Sequence, residues 1–170
     1  MSHQVKNRAL KMYADAHIAL SSDEIENMEF ADFGLGRIEK EGLILVVYEN
    51  NDRYCSKEMV LLPGMTCPEH RHPDHDGQIG KQETFRCRQG QVYLYVEGKP
   101  TDNIQASIPE GSKDYYTIRH EIVLYPGEQY TIKPNTLHWF QAGAEGAIVS
   151  EFSSPSDDST DIFTDPNIVR

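Results

Sequence analysis

Apolar positions at the start of the chain recur with helical spacing. Val5, Ala9, Met12, Tyr13 and Ala16 fall near one stripe, which predicts an amphipathic helix over residues 5–19. Ser21-Ser22-Asp23-Glu24 offers a capping box, so a second short helix should follow and end before Gly34. From Gly36 the stripe gives way to runs and alternation. Leu43 to Tyr48 is a β-prone apolar run, Asn50-Asn51-Asp52 signals a turn, and Tyr54 to Leu62 reads as the returning strand. Next come a strand through His70, a loop from Pro73 to Gly80, a strand from Glu83 to Arg88, a turn at Gln89-Gly90 and a strand from Val92 to Val96. Residues 98–114 are polar and read as an excursion loop. Short strands are predicted at 115–118, 121–125, 130–132, 138–141 and 147–152. The tail is polar up to Asp161-Ile162-Phe163, which is placed to fold back over a barrel end.

Many short strands behind two helices predict a mainly β fold, a β-barrel or double-sheet jelly roll with the helices packed outside. The length of 170 residues fits one domain, 1–170, with a helical segment at about 5–33 and the barrel at about 36–152. The formal net charge of −11 argues against nucleic acid or an anionic membrane as the main partner. Cys55, Cys67 and Cys87 are an odd number without a secretory pattern, which suggests free thiols in a reducing compartment. No apolar run reaches membrane-spanning length, and the charged N-terminus does not look like a signal peptide. Together these features point to the cytoplasm.

The candidate chemistry lies between residues 64 and 90. His70 and His72 are separated by one residue, so in an extended strand both imidazoles point to the same face. Glu83, at the start of the next extended run, can bring a carboxylate to the same point, and His138 is the best candidate for a fourth ligand. Imidazole plus carboxylate suits Mn, Fe, Co, Ni or Zn better than Ca or Cu(I). The parity that turns Glu83 inward also turns in Phe85 and Cys87 and puts Arg86 and Arg88 outside.

The frame around these residues resembles the first cupin motif, G-x5-H-x-H-…-E-x6-G, with an enlarged segment between the second His and the Glu. Gly127 and His138 stand at the overall separation of the second cupin motif; Pro134 is one place late, Asn135 replaces the inner Gly and Ala142 the final Asn. Longer strings are more specific. Asp52-Arg-Tyr-Cys-Ser-Lys-Glu, Cys67-Pro-Glu-His-Arg-His-Pro, Gly80-Lys-Gln-Glu-Thr-Phe-Arg-Cys-Arg, Pro134-Asn-Thr-Leu-His-Trp-Phe-Gln-Ala-Gly and Asp161-Ile-Phe-Thr-Asp-Pro resemble the cupin-type D-lyxose ketol-isomerases over nearly the whole chain. The resemblance implies a homodimeric, Mn-dependent cupin that interconverts D-lyxose and D-xylulose, and often D-mannose and D-fructose. It places the metal ligands on His70, His72, Glu83 and His138. Other divalent transition metals fit the same donors.

Aldose–ketose isomerisation moves a proton between the first two carbons, so it needs a base beside a polarised carbonyl. Glu151, on the last predicted strand and on the same face as Val149, is the candidate base. Lys57 shares its face with Cys55, Met59 and Leu61, and the resemblance implies an inward Lys that assists the substrate oxygens. Glu58 and Glu69 should face the other way. Lys81 reads as a surface charge at a loop end, His75 as a solvated loop residue and Trp139 as packing or interface. Tyr93 and Tyr95 are compatible with a subunit interface. Two alternatives keep the donor set: another Mn or Fe cupin enzyme (dioxygenase or decarboxylase), and a non-catalytic sugar-binding cupin.

Overall fold

The computed structural model describes residues 3–169; Met1, Ser2 and Arg170, which the predicted 1–170 domain includes, lie outside the described residues. The first helix, α1 (His3–Asp15), begins earlier and ends sooner than its apolar stripe suggests. His17 takes a left-handed φ of 56°, and Ile18 N–H donates back to Tyr13 O at 2.9 Å, which closes the last turn. The second helix, α2 (Ser22–Glu26), carries the expected capping box: Glu24 N–H donates to Ser21 Oγ and Ser21 N–H to Glu24 Oε2. The segment predicted as helical also holds a short strand, β1 (Glu29–Ala31).

Eight more strands follow: β2 (Leu43–Asn50), β3 (Cys55–Leu61), β4 (Thr66–Arg71), β5 (Glu83–Val96), β6 (His120–Leu124), β7 (Gln129–Ile132), β8 (His138–Ser153) and β9 (Ile162–Phe163). They form one curled sheet in the order β1-β2-β3-β8-β4-β9, with β5 pairing β6, β7 and β8, and every strand pair is antiparallel. The fold is mainly β, as predicted, with the helices outside.

Three boundaries differ from the sequence reading. Gln89-Gly90 is not a turn: β5 runs straight through it, with register shifts at Cys87/Gln89 and Gly90/Val92. Gly90 sits at φ 75°, and a Cβ there would lie 2.0 Å from Gly146 O, so only glycine lets the two bent strands approach. The strands predicted at 138–141 and 147–152 are one strand, β8, for the same reason. Residues 115–118 are not a strand: a 3₁₀ turn (Lys113–Tyr115) leads into irregular backbone whose Thr117 and Ile118 N–H groups donate to the Glu69 carboxylate instead of to a sheet.

The core explains where the mouth of the barrel lies. Val5, Ala9 and Tyr13 of α1 join the barrel residues Ile44, Val60, Phe85, Phe140 and Val149 in one apolar cluster. Tyr13 O–H donates to Glu58 O at 2.8 Å, which fixes the helix to the outer face of β3. A second cluster lies under the excursion loop. There Trp139 stacks on Tyr95 with centroids 3.9 Å apart and donates its indole N–H to Ile118 O at 3.1 Å. Trp139 is therefore packing, the first of its two readings, whereas Tyr95 is buried and not free for an interface. With these faces closed, the open end is the one carrying the start of β5 and both ends of β8.

Candidate metal centre and active site

Four polar side chains meet inside that end. His70 is on β4 and His72 just beyond it; Glu83 opens β5 and His138 opens β8, where His138 is the register partner of His70. One donor atom from each of the four lies within 4.8 Å of the others, and all four residues are buried. The alternation argument holds along β5: Glu83, Phe85 and Cys87 are buried, and Arg88 is exposed. Asn135, standing where the second cupin motif has glycine, adopts φ 58°, a conformation asparagine tolerates. Its N–H donates to His72 O at 2.9 Å and ties that turn to the ligand strand.

Each imidazole is held by its Nδ1. His70 Nδ1 is 2.7 Å from Pro68 O and His138 Nδ1 is 2.9 Å from Thr136 O. Carbonyl oxygens only accept, so Nδ1 carries the hydrogen in both and Nε2 presents its lone pair to the centre. His72 Nδ1 lies 2.5 Å from Asp161 Oδ1, on the tail. At the centre, Glu83 Oε1 is 3.3 Å from His72 Nε2 and 2.9 Å from His138 Nε2. His138 Nε2 is nevertheless buried without an aligned hydrogen bond. A buried lone pair aimed at a carboxylate and two other imidazoles is what a divalent cation would satisfy, so the donor set fits a metal. Burial, with His138 and His72 nearby, pushes the His70 pKa well down, so His70 is neutral and ready to ligate. Burial opposes the charge on His72, but Glu83 and Asp161 outweigh it and raise its pKa to about 9 in the metal-free protein.

Both proposed catalytic side chains face the same cavity. Lys57 and Glu151 are direct register partners across β3 and β8, buried, with Nζ and Oε1 3.9 Å apart. Lys57 Nζ also donates to Ser156 Oγ at 3.0 Å. The sequence reading of Lys81 needs correction. Its side chain is buried, with Nζ 2.6 Å from Glu83 Oε2 and 3.0 Å from Glu151 Oε1. Burial lowers the Lys81 pKa, but Glu151 and Glu83 outweigh it and the net shift is upward. The signal was its shared parity with Glu83, two residues on. Asp161 reaches the mouth, as the folding back of the tail required.

Glu58 and Glu69 face away from the cavity, as expected, but both are buried: Glu58 accepts from Ser150 Oγ at 3.0 Å, and Glu69 accepts four hydrogen bonds. The inner cavity, about 20 Å³, is lined by His70, His72 and Glu83 of the donor set together with Lys57, Lys81 and Glu151. An outer cavity of about 310 Å³ shares His72, Lys81 and Asp161 with it and includes His75 and Gln78. That volume is at the low end of small-ligand sites, roughly 300–1,000 Å³.

The family profile described as D-lyxose isomerase matches residues 17–170. A D-lyxose/D-mannose isomerase of Thermosediminibacter oceani is 64% identical over 98% of this chain and 92% of its own. A D-lyxose ketol-isomerase of Cohnella laeviribosi is 59% identical over 98% and 92%. Among solved structures, an L-ribose isomerase of Acinetobacter sp. DL28, in complex with L-ribose, superposes with a TM-score of 0.78 over 97% of this chain and 91% of its own, at 14% identity. That of Cellulomonas parahominis gives 0.77 over 97% and 91%, at 15% identity. Fold and site thus define a cupin-type barrel with a buried four-residue group that could hold a metal. The chain belongs to the D-lyxose isomerase family, and it is an enzyme, a sugar isomerase. The dioxygenase, decarboxylase and non-catalytic alternatives are not favoured. No helix among the described residues is long and apolar enough to cross a membrane.

Proposed function

We propose that this enzyme interconverts D-lyxose and D-xylulose, and D-mannose and D-fructose as well, with Mn²⁺ held by His70, His72, Glu83 and His138. The observation that carries the proposal is a donor set with its four atoms within 4.8 Å of one another, three of its residues lining one cavity with Glu151, Lys57 and Lys81. The 64% and 59% identical relatives named for D-lyxose support the substrate, and the name of the first supports D-mannose. D-mannose repeats the configuration of D-lyxose at the carbons next to the carbonyl, so one cavity serves both.

A bound divalent cation supplies the positive charge that polarises the carbonyl and stabilises an enediolate. Glu151 does the proton transfer: its carboxylate takes the proton from C2 of the aldose and returns it to C1, leaving the ketose. Lys81 steadies Glu151 through the 3.0 Å contact, and Lys57 lies on its other side at 3.9 Å. Both ammonium groups are placed to meet substrate hydroxyl and enediolate oxygens, and they shuttle the hydroxyl proton between O2 and O1. The Lys57, Lys81 and Glu151 side chains are buried, so a sugar seated over them limits the access of bulk water to the carbanion-like intermediate. Isomerisation in D2O tests the step. Some deuterium on C1 of the ketose, from exchange at protonated Glu151 before the return, is expected; no deuterium together with full turnover of E151Q would replace proton transfer by hydride transfer and remove Glu151 as the base.

We infer also that the chain is one domain, because α1 shares the barrel's apolar core. A homodimer follows from the family resemblance. A cytoplasmic location is supported by Cys55, Cys67 and Cys87, which are buried and not joined by a disulfide.

A further inference from the structure

The three candidate imidazole ligands are not held alike. His70 and His138 each lean on a carbonyl two residues back in their own segment, Pro68 O and Thr136 O. His72 has no such local support. Its Nδ1 partner is Asp161, 89 residues further along the chain, on the tail that crosses the mouth.

That tail is held by discrete polar contacts around the site. Ser154 N–H donates to Gln82 O at 3.0 Å, and Ser156 exchanges hydrogen bonds with the side chain of Asn50. Ser156 Oγ accepts from Lys57, and Asp158 Oδ1 lies 3.6 Å from the same ammonium. Strand β9 pairs with β4 directly over the ligand strand, with Phe163 opposite His70 and stacked on its ring at 5.3 Å. Thr164 donates twice to Glu69, from N–H to the backbone oxygen at 3.0 Å and from Oγ1 to the carboxylate at 2.7 Å. Over residues 154–162 apolar burial contributes little, since Pro155 and Ile162 are exposed; Phe163, which packs against the core beside Phe33, ends that stretch. An element tied by few apolar contacts opens at low cost. Opening this one uncovers the cavity and removes the partner of one ligand in the same motion.

We propose that the strap of residues 154–164 is a clasp that completes the metal centre, with Asp161 as the positioning residue for His72. Docking of the strap and retention of the metal are then one coupled equilibrium. The docked strap fixes the His72 ring with Nε2 inward, and a metal on Nε2 in turn favours the docked strap. The inference rests on the metal reading of the four-residue group.

The test is the affinity of the metal-free protein for Mn²⁺, measured by chelator competition, in wild type, D161A, D161N and T164V. Loss of such an outer partner typically costs about 10–100-fold in metal affinity, and that loss is expected for D161A. D161N keeps an acceptor and should lose less. T164V touches no ligand, so a weaker affinity and faster extraction of the metal by chelator would come only through the strap. Bound Mn²⁺ should also slow proteolytic cleavage within residues 154–160. If D161A does not fold, D161N and T164V carry the test. Affinities of the variants within about twofold of wild type, well under the loss expected for an outer partner, would overturn the clasp. So would cleavage indifferent to metal. Wild type that binds no divalent cation would instead overturn the metal reading itself.

Discussion

Lys81 and Glu151 form a buried ion pair, Nζ to Oε1 3.0 Å, and the same ammonium lies 2.6 Å from Glu83 Oε2. One cation therefore joins the carboxylate of the donor set to the carboxylate proposed as base. Without a metal, Lys81 is the nearest compensating charge for both.

That arrangement predicts an asymmetric effect of K81M. Removing one partner of a buried pair typically costs about 3–5 kcal/mol, because the remaining charge stays buried and unpaired. The metal-free variant should melt well below the metal-free wild type. With Mn²⁺ bound the loss should be smaller, since the dication compensates Glu83. Thermal unfolding of both forms checks this; an equal loss with and without metal would contradict the charge argument.

E151Q separates chemistry from metal binding. The substitution keeps size and removes the base, so turnover should fall by about 10²–10⁴-fold, the range of a general acid–base contribution. Metal content should not change, because Glu151 is not among the four donors. Turnover near the wild-type rate would remove Glu151 from the mechanism.

H70A should lose metal and activity together. His70 is buried among the other three donors, and its backbone is the register partner of His138. Metal analysis of the purified variant decides the matter: unchanged content would contradict the site assignment, whatever the activity.

The pH dependence has a definite sign. In the metal-free protein the His72 pKa is raised from 6.5 to about 9, burial being outweighed by Glu83 and Asp161. A metal takes the neutral imidazole, so binding near neutral pH should release a proton, and affinity should rise with pH until about 9. The contribution of His72 to the metal-free fold runs the other way: fully present below 6.5 and lost as pH rises through about 9. Calorimetry of Mn²⁺ binding in buffers of different ionisation enthalpy counts the proton. No release at neutral pH would contradict a protonated His72.

Much of the site was legible because strand parity is a strong constraint. His70 and His72, then Glu83 with Phe85 and Cys87, and the inward faces of Lys57 and Glu151 all follow from alternation, whereas the register that sets Lys57 opposite Glu151 does not. What parity cannot show is cover. Glu58 and Glu69 do face outward, yet α1 lies over one, and Thr117, Ile118 and Thr164 surround the other. Lys81 was read as a surface charge because it precedes β5, but the carboxylates that draw it inward come from Glu83 and from Glu151, 70 residues away. The Gln89-Gly90 pair carries a turn signal that a bulge uses equally well, so one bent strand was read as two. Asp161 was legible as a tail residue near the mouth; its role beside His72 depends on the pairing of β9 with β4, between segments 89 residues apart in the chain.

In the proposed mechanism the four-donor site, loaded with metal, runs the sugar isomerisation. The most direct measurement is to incubate the metal-free protein with D-lyxose, D-mannose and D-xylose, with and without Mn²⁺, and to assay ketose. Ketose is expected from D-lyxose, and from D-mannose, only when Mn²⁺ is present. Ketose formed equally without metal, or no ketose from any sugar with the metal demonstrably bound, would contradict that mechanism.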